Sequence, residues 1–197
     1  KKFINTYIEN NLYAYKFSKD ELVFLSCVIL LYEKDYITID EISERLLVSR
    51  TTYINNLVML KKYMETLGLH FVSSSNKGLK IKDTEQTRRE AMIKMLKQCI
   101  KENRFLLLLI VKNTAFFQYD YRSVIKRILN MVKKEYMVEL TDFSYRLLEY
   151  YLVFSIEKMK SGEYIKDEAE IINPEDYIIA EQIMKRISDT LEIEIPE

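Results

Sequence analysis

Three glycines and two prolines are spread over 197 residues, so the chain has very few residues that break a helix. Glycine supplies the left-handed backbone of tight turns and proline interrupts regular ladders, and a sequence this poor in both is expected to form long helices with few β-turns. With 48% hydrophobic and 30% charged residues, the composition is that of a soluble globular protein able to bury one large core or two small ones. The fold class expected is mainly α.

The periodic segments can be placed in order. Residues 3–12 suit a short amphipathic helix. Ser18-Lys-Asp-Glu21 reads as a capping box ahead of the apolar run 22–32, a helix expected to be core throughout. Tyr36-Ile-Thr38 is short and β-prone. Thr38 with Glu41 makes a second capping box, opening a helix through Leu47 with Ile39, Ile42 and Leu46 inward. Ser49 can cap a third helix, in which Tyr53, Leu57, Leu60, Met64 and Leu67 recur at helical spacing, and Gly68 suits its left-handed end.

Residues 69–72 and 79–82 are two extended candidates around the 73–78 loop, a β-hairpin whose loop exceeds the usual two residues. Thr84 opens a helix to about Asn103, after which the pattern stays helical with an interruption near Asn113. Residues 121–134, 142–161 and 174–191 are further helices, the last introduced by Asn173 as N-cap and Pro174 at N1. Three helices followed by a hairpin predict a winged helix-turn-helix with a small β-hairpin wing in domain 1–83. A helical linker and an all-α helical bundle, truncated at its C-terminus, are expected over 84–197.

Charge is zero overall but segregated along the chain. Residues 49–82 hold six basic residues against one acidic, and residues 88–134 hold twelve against three, whereas residues 135–197 hold six against sixteen. A basic front and an acidic back suit a DNA-reading part joined to a part with another task.

If Tyr53, Leu57, Leu60 and Met64 face the core, a step of about 100° per residue turns Thr51, Asn55 and Lys62 outward, with Arg50 beside the helix start. Arg50 suits guanine and Asn55 adenine. The Ser49 and Thr52 hydroxyls and the helix N-terminus suit phosphate. Asn56 is counted with this DNA-binding set. Lys61, Lys62 and the wing residues Lys77, Lys80 and Lys82 add sequence-independent attraction. The plainer alternative is an ordinary N-cap, Ser49-Arg-Thr-Thr52, on a solvated helix face.

Enzyme chemistry is not expected, because no nucleophile with a base, metal cluster or phosphate cradle is visible. The single histidine, His70, falls at the start of the hairpin and reads as a strand residue. The three glycines are too dispersed for a phosphate loop. Asp167, Glu168 and Glu170 read as a solvated acidic loop rather than a metal site. Cys27 and Cys99 sit in apolar helical patterns and read as buried reduced thiols, in keeping with a cytoplasmic location. No cofactor is expected. The apolar stretch 105–111 is too short to span a membrane. The start at Lys1, without methionine, predicts a fragment of a longer protein.

The run from Ile37 to Leu57, followed by Gly68-Leu69, Lys77-Gly-Leu-Lys-Ile81, Glu85 and Arg88, resembles the Mga-type winged helix of bacterial sugar-operon regulators. Those multidomain activators form the BglG-like and mannitol-operon-activator class, in which this module precedes phosphotransferase-regulated domains (PRDs). Leu147-Leu-Glu-Tyr-Tyr-Leu-Val-Phe-Ser-Ile-Glu-Lys-Met-Lys-Ser-Gly162 resembles the PRD helix that carries the first regulatory histidine. The segment 180–197, ending Ile-Glu-Ile-Pro-Glu, resembles a later PRD helix.

The resemblance implies a DNA-binding transcription regulator of a sugar-uptake operon, whose PRD receives a signal from phosphotransferase-system proteins and rearranges a homodimer. A phosphate on a PRD histidine would add about −1.5 to −2 charge within a helical interface, enough to bias its packing. Tyr151 stands at that first histidine position, and the second histidine is expected beyond Glu197. Asn56 replaces the usual Asp of the recognition helix, and Lys158 the usual Arg after the PRD histidine. The lack of a phosphorylatable histidine implies that the PRD here dimerises or answers another signal.

The competing reading is a protein-interaction or dimerisation module whose winged helix does not bind DNA; fifteen tyrosines, eight methionines and no tryptophan suit an adaptable interface as well as a core. RNA antitermination is disfavoured because nothing resembles the small RNA-binding β domain of PRD antiterminators.

Overall fold

A computed structural model describes residues 16–104, 107, 121–165 and 173–194. Among these, seven helices and one two-stranded hairpin follow in the order α1 (Lys19–Tyr32), α2 (Ile39–Arg45), α3 (Arg50–Leu67), β1 (Phe71–Ser74), β2 (Gly78–Ile81), α4 (Glu85–Lys101), α5 (Arg122–Glu135), α6 (Asp142–Lys160) and α7 (Pro174–Leu191). The mainly helical class expected from the scarcity of glycine and proline is the observed one. The helix expected over 3–12, most of the apolar stretch 105–111, the interruption near Asn113 and the acidic residues 167, 168 and 170 lie outside the described residues.

Contacts divide the chain into two compact units, 1–118 and 119–197. In the first, α1 packs on α3 and β2, α2 packs on α3, and α4 closes against both α1 and α3. The boundary expected after residue 83 on functional grounds and the contact boundary after 118 therefore differ. The helix that follows the hairpin packs on α1 and α3 and falls within the first unit.

The helix starts are set by local chemistry. Ser18 and Thr38 each accept a hydrogen bond from the N3 backbone while the carboxylates of Glu21 and Glu41 accept one from the cap backbone N–H, completing both capping boxes. The carboxyl of Glu41 is held below its usual range by the Thr38 backbone N–H and hydroxyl. Ser49, Thr84 and Thr141 accept from the N3 backbone of their helices, and Asn173 from that of Glu175.

The helix ends are set differently. Gly68 ends α3 at φ 80°, as its position predicts, and Gly162 follows α6 at φ 74°. Leu47, Asn103, Met137 and Glu192 perform the same left-handed task at φ between 51° and 54° without being glycine. At Leu47 the closure is a Schellman pair, with the Leu47 N–H on the Glu44 carbonyl at 3.0 Å and the Val48 N–H on the Ser43 carbonyl at 3.0 Å. As a consequence α2 stops at Arg45 rather than running through Leu47.

The hairpin pairs Phe71 with Ile81 and Ser74 with Gly78, leaving a three-residue turn, Ser75–Lys77. Both strands are displaced from the expected spans of 69–72 and 79–82. Leu69 is 1% exposed, and its N–H bonds the Met64 carbonyl, so it belongs to the α3 terminus rather than to β1. Ile37 adds a bridge to the outer side of β2, exchanging both backbone hydrogen bonds with Leu79 at 2.9 and 2.8 Å.

In the first core, Leu25, Cys27, Ile29, Leu31, Ile42, Tyr53, Leu60, Met64 and Met95 are at most 2% exposed. Both cysteines are buried without a disulfide, and burial pushes the Cys27 thiol far above its ordinary pKa. Arg88 is buried as well. Its Nη2 donates to the carbonyls of Leu31, at 2.8 Å, and Glu33, so the guanidinium caps the C-terminal end of α1, where cations are favoured.

In the second unit α5 packs on α6 and α7. Ile125, Ile128, Leu129 and Val132 of α5, Leu152, Phe154 and Ile156 of α6 and Ile183 and Ile187 of α7 are buried and form its apolar interior. No described helix is long and apolar enough to cross a membrane.

Candidate nucleic-acid interface

The start of α3 is polar and exposed from Ser49 to Thr52. Ser49 is exposed, and its Oγ accepts from the Thr52 N–H at 3.1 Å and lies 2.8 Å from the Thr52 hydroxyl. No acidic residue occupies the first turn of α3, so its free backbone N–H groups face no carboxylate of their own helix. Arg50, Thr51, Thr52, Asn55, Lys61 and Lys62 are all exposed. Arg50 Nε rests 3.0 Å from Asp40 of α2, and both side chains are largely in solvent, which makes this a weak pair that a stronger anion displaces.

Asn56 is not part of this surface. It is 7% exposed, and its Nδ2 donates to the Thr52 carbonyl at 2.8 Å, one turn back within α3. Three residues beyond the core residue Tyr53, it turns to the inner side of the helix, where it serves packing. Its inclusion among the DNA-contacting residues is corrected accordingly.

The hairpin carries the remaining cations. Lys77 is exposed, Lys80 half-buried and Lys82 exposed. The ammonium groups of Lys77 and Lys80 lie 5.8 and 5.7 Å from the centre of the Tyr36 ring, and Lys80 also approaches Asp35 at 3.0 Å. Tyr36 was thus missed as an organiser of the hairpin cations; its only sequence signal was a short β-prone stretch. His70 precedes β1 instead of opening it. Its exposed ring meets Asp83 Oδ1 at 3.1 Å while its backbone N–H donates to Oδ2 at 2.6 Å, closing the base of the hairpin.

Two further residues on α3 escaped the sequence reasoning, which assigned the outward face to polar residues alone. Ile54 is 40% and Val58 67% exposed.

In the second unit, Tyr151 lies half-buried on α6. Two residues earlier, Glu149 is 2% exposed and receives the Arg122 guanidinium, with Lys126 Nζ at 3.7 Å. Further along the helix Lys158 is 1% exposed, its Nζ donating to both oxygens of Glu163 at 3.0 and 3.1 Å. Between them Glu157 is half-buried, and desolvation raises its carboxyl pKa, Lys160 opposing. Lys158 therefore serves as a buried cation at the position where the resembled family has arginine. Among the described residues no group of three His, Cys, Asp or Glu side chains could hold a metal ion.

No curated protein sequence matches this chain. A comparison with protein-family models matches residues 126–197 to the PRD domain, a stretch that begins within α5 and takes in α6, Tyr151 and α7. With its acidic C-terminal part matched to this helical regulatory module, the chain is a PRD-containing protein.

Proposed function

We propose that this protein is a cytoplasmic DNA-reading transcription regulator of a sugar-uptake phosphotransferase operon, or of a related one. The first unit acts as a Mga-type winged helix and the PRD as the receiver of the signal, in the manner of the BglG-like class. PRD domains are typical of regulators of such operons. The observation that carries the DNA reading is the exposed start of α3, whose own first turn holds no acidic residue, with Arg50, Thr51 and Asn55 outward.

In this reading α3 enters the major groove by its N-terminal turns. Arg50 leaves Asp40 to pair with guanine and Asn55 pairs with adenine, while Ser49, Thr52 and the α3 N-terminus approach phosphate. Lys61, Lys62, Lys77 and Lys80 hold the backbone. A homodimer would present two such helices to two half-sites. Titration of the intact chain with duplex DNA at low ionic strength tests this, and absence of binding overturns it.

Tyr151 occupies the regulatory-histidine position of the resembled PRD helix, and tyrosine is not an acceptor for a histidine phosphotransfer relay. Incubation with phosphotransferase proteins and labelled phosphoenolpyruvate should therefore leave the protein unlabelled. Label on Tyr151 or His70 would show that the signal enters as phosphate after all.

A further inference from the structure

We propose that Ile54 and Val58 read thymine, by packing against its 5-methyl group in the major groove. The inference rests on the DNA-reading function proposed above and names the base it selects. Val58 is 67% and Ile54 40% exposed, although α3 already has a complete inner face in Tyr53, Leu60, Met64 and Leu67. A single exposed aliphatic residue needs no explanation. Here two stand one turn apart on the same outward face.

Their placement matters more than their exposure. At about 100° per residue, Val58 lies within about 20° of Thr51 and about 40° of both Ile54 and Lys62 around the helix axis. It is thus near the centre of the outward face, beside the groups proposed to meet base edges. Ile54 and Val58 are the fifth and ninth residues of α3, within the N-terminal half that a recognition helix inserts into the groove.

The surroundings decide the occupant. From residue 49 to 82 there are six cations and one anion; Asp40 and Asp35, which precede this stretch, lie against Arg50 and Lys80, and the excess left by Lys61, Lys62, Lys77 and Lys82 still suits a polyanion better than an apolar protein surface. The thymine methyl is the apolar group that the major groove presents among its hydrogen-bonding edges. An aliphatic pair amid Arg50, Thr51, Asn55 and Lys62 matches a site where thymine neighbours bases read by hydrogen bonds.

The test begins with selection of duplexes from a random library by the intact chain. Each thymine of the selected site is then replaced by deoxyuridine, which differs only in lacking the methyl group. At one or two positions per half-site binding should weaken about fourfold, the factor expected from uncovering one methyl-sized group. That penalty should vanish in Val58→Ala or Ile54→Ala; both positions are exposed, and thermal melting verifies that the variants are folded. Binding indifferent to deoxyuridine everywhere, or a penalty undiminished in both variants, overturns the thymine assignment while the DNA-reading function stands. Failure to enrich any duplex removes the DNA-reading function itself. If Val58→Ala then lowers the oligomeric state, the face is a protein contact.

Discussion

Gly78 lies so close to Ile37 that a Cβ at residue 78 would stand 2.0 Å from the Ile37 carbonyl oxygen, with the Thr38 Cα at 2.7 Å. The contact exists because Ile37 and Leu79 exchange both backbone hydrogen bonds, drawing the segment before α2 against β2. Gly78 is also at φ 97°. Gly78→Ala should therefore destabilise the first unit by about 3 kcal/mol, steric displacement adding to backbone strain. Gly68→Ala, at φ 80° but with nothing within 4 Å of the new Cβ, should cost only about 1 kcal/mol. Urea denaturation of the two variants separates the terms, and equal costs would contradict the close approach.

Met137 gives the opposite sign. It holds φ 51° at the end of α5 and is 87% exposed, so its side chain contributes little packing against the strain. Met137→Gly is expected to stabilise the second unit by about 0.5 kcal/mol, relief of strain outweighing the greater freedom of the unfolded chain. A lowered denaturation midpoint would show that Met137 packs in a way its exposure does not suggest.

Asn55 and Asn56 should behave as opposites although they are neighbours. Asn55→Ala, or Arg50→Ala, should reduce discrimination among duplex sequences by about tenfold or more while leaving the melting temperature unchanged. Asn56→Ala should lower stability by about 1 kcal/mol with no change in discrimination. Lys77→Ala should weaken all sequences alike and reduce the logarithmic salt slope by about one. Competition binding and thermal melting of the same variants decide each case.

Alkaline titration should expose Tyr53. Burial raises its phenol from 10.0 to about 12, with Ser26 opposing. The unfolded chain then loses its proton first as pH rises. The stabilisation that Tyr53 gives in the neutral form is complete below pH 10 and lost progressively between pH 10 and about 12. Tyr53→Phe should flatten the decline of stability over that range, and an unchanged pH dependence would rule out this origin.

The helix starts were legible because Ser18, Thr38, Ser49, Thr84 and Asn173 offer a side-chain oxygen just before an apolar period, a strictly local mechanism. The ends were less so. Where Leu47 or Met137 takes the left-handed turn, the residue carries no sign of it, since the conformation is imposed by what lies beyond the helix. The hairpin slipped by up to two residues because Leu69 and Phe71 are both apolar, and only the α3 terminus distinguishes them. Within the candidate interface, Arg50, Thr51, Asn55 and Lys62 followed from the helical step. Asn56 was misread because its polarity was weighed above its angular position, and Ile54 and Val58 because apolar residues were assumed to point inward.

The Arg88 guanidinium at the end of α1 also has a mechanical meaning. It clamps the first turn of α4 to the carbonyl end of the most buried helix of the first unit. Arg88→Met should cost about 3 kcal/mol, and the effect should reach both helices that the guanidinium joins. With the carbonyl end of α1 tied to the start of α4, the two helix ends are expected to open together rather than separately, which amide exchange in their terminal turns would read.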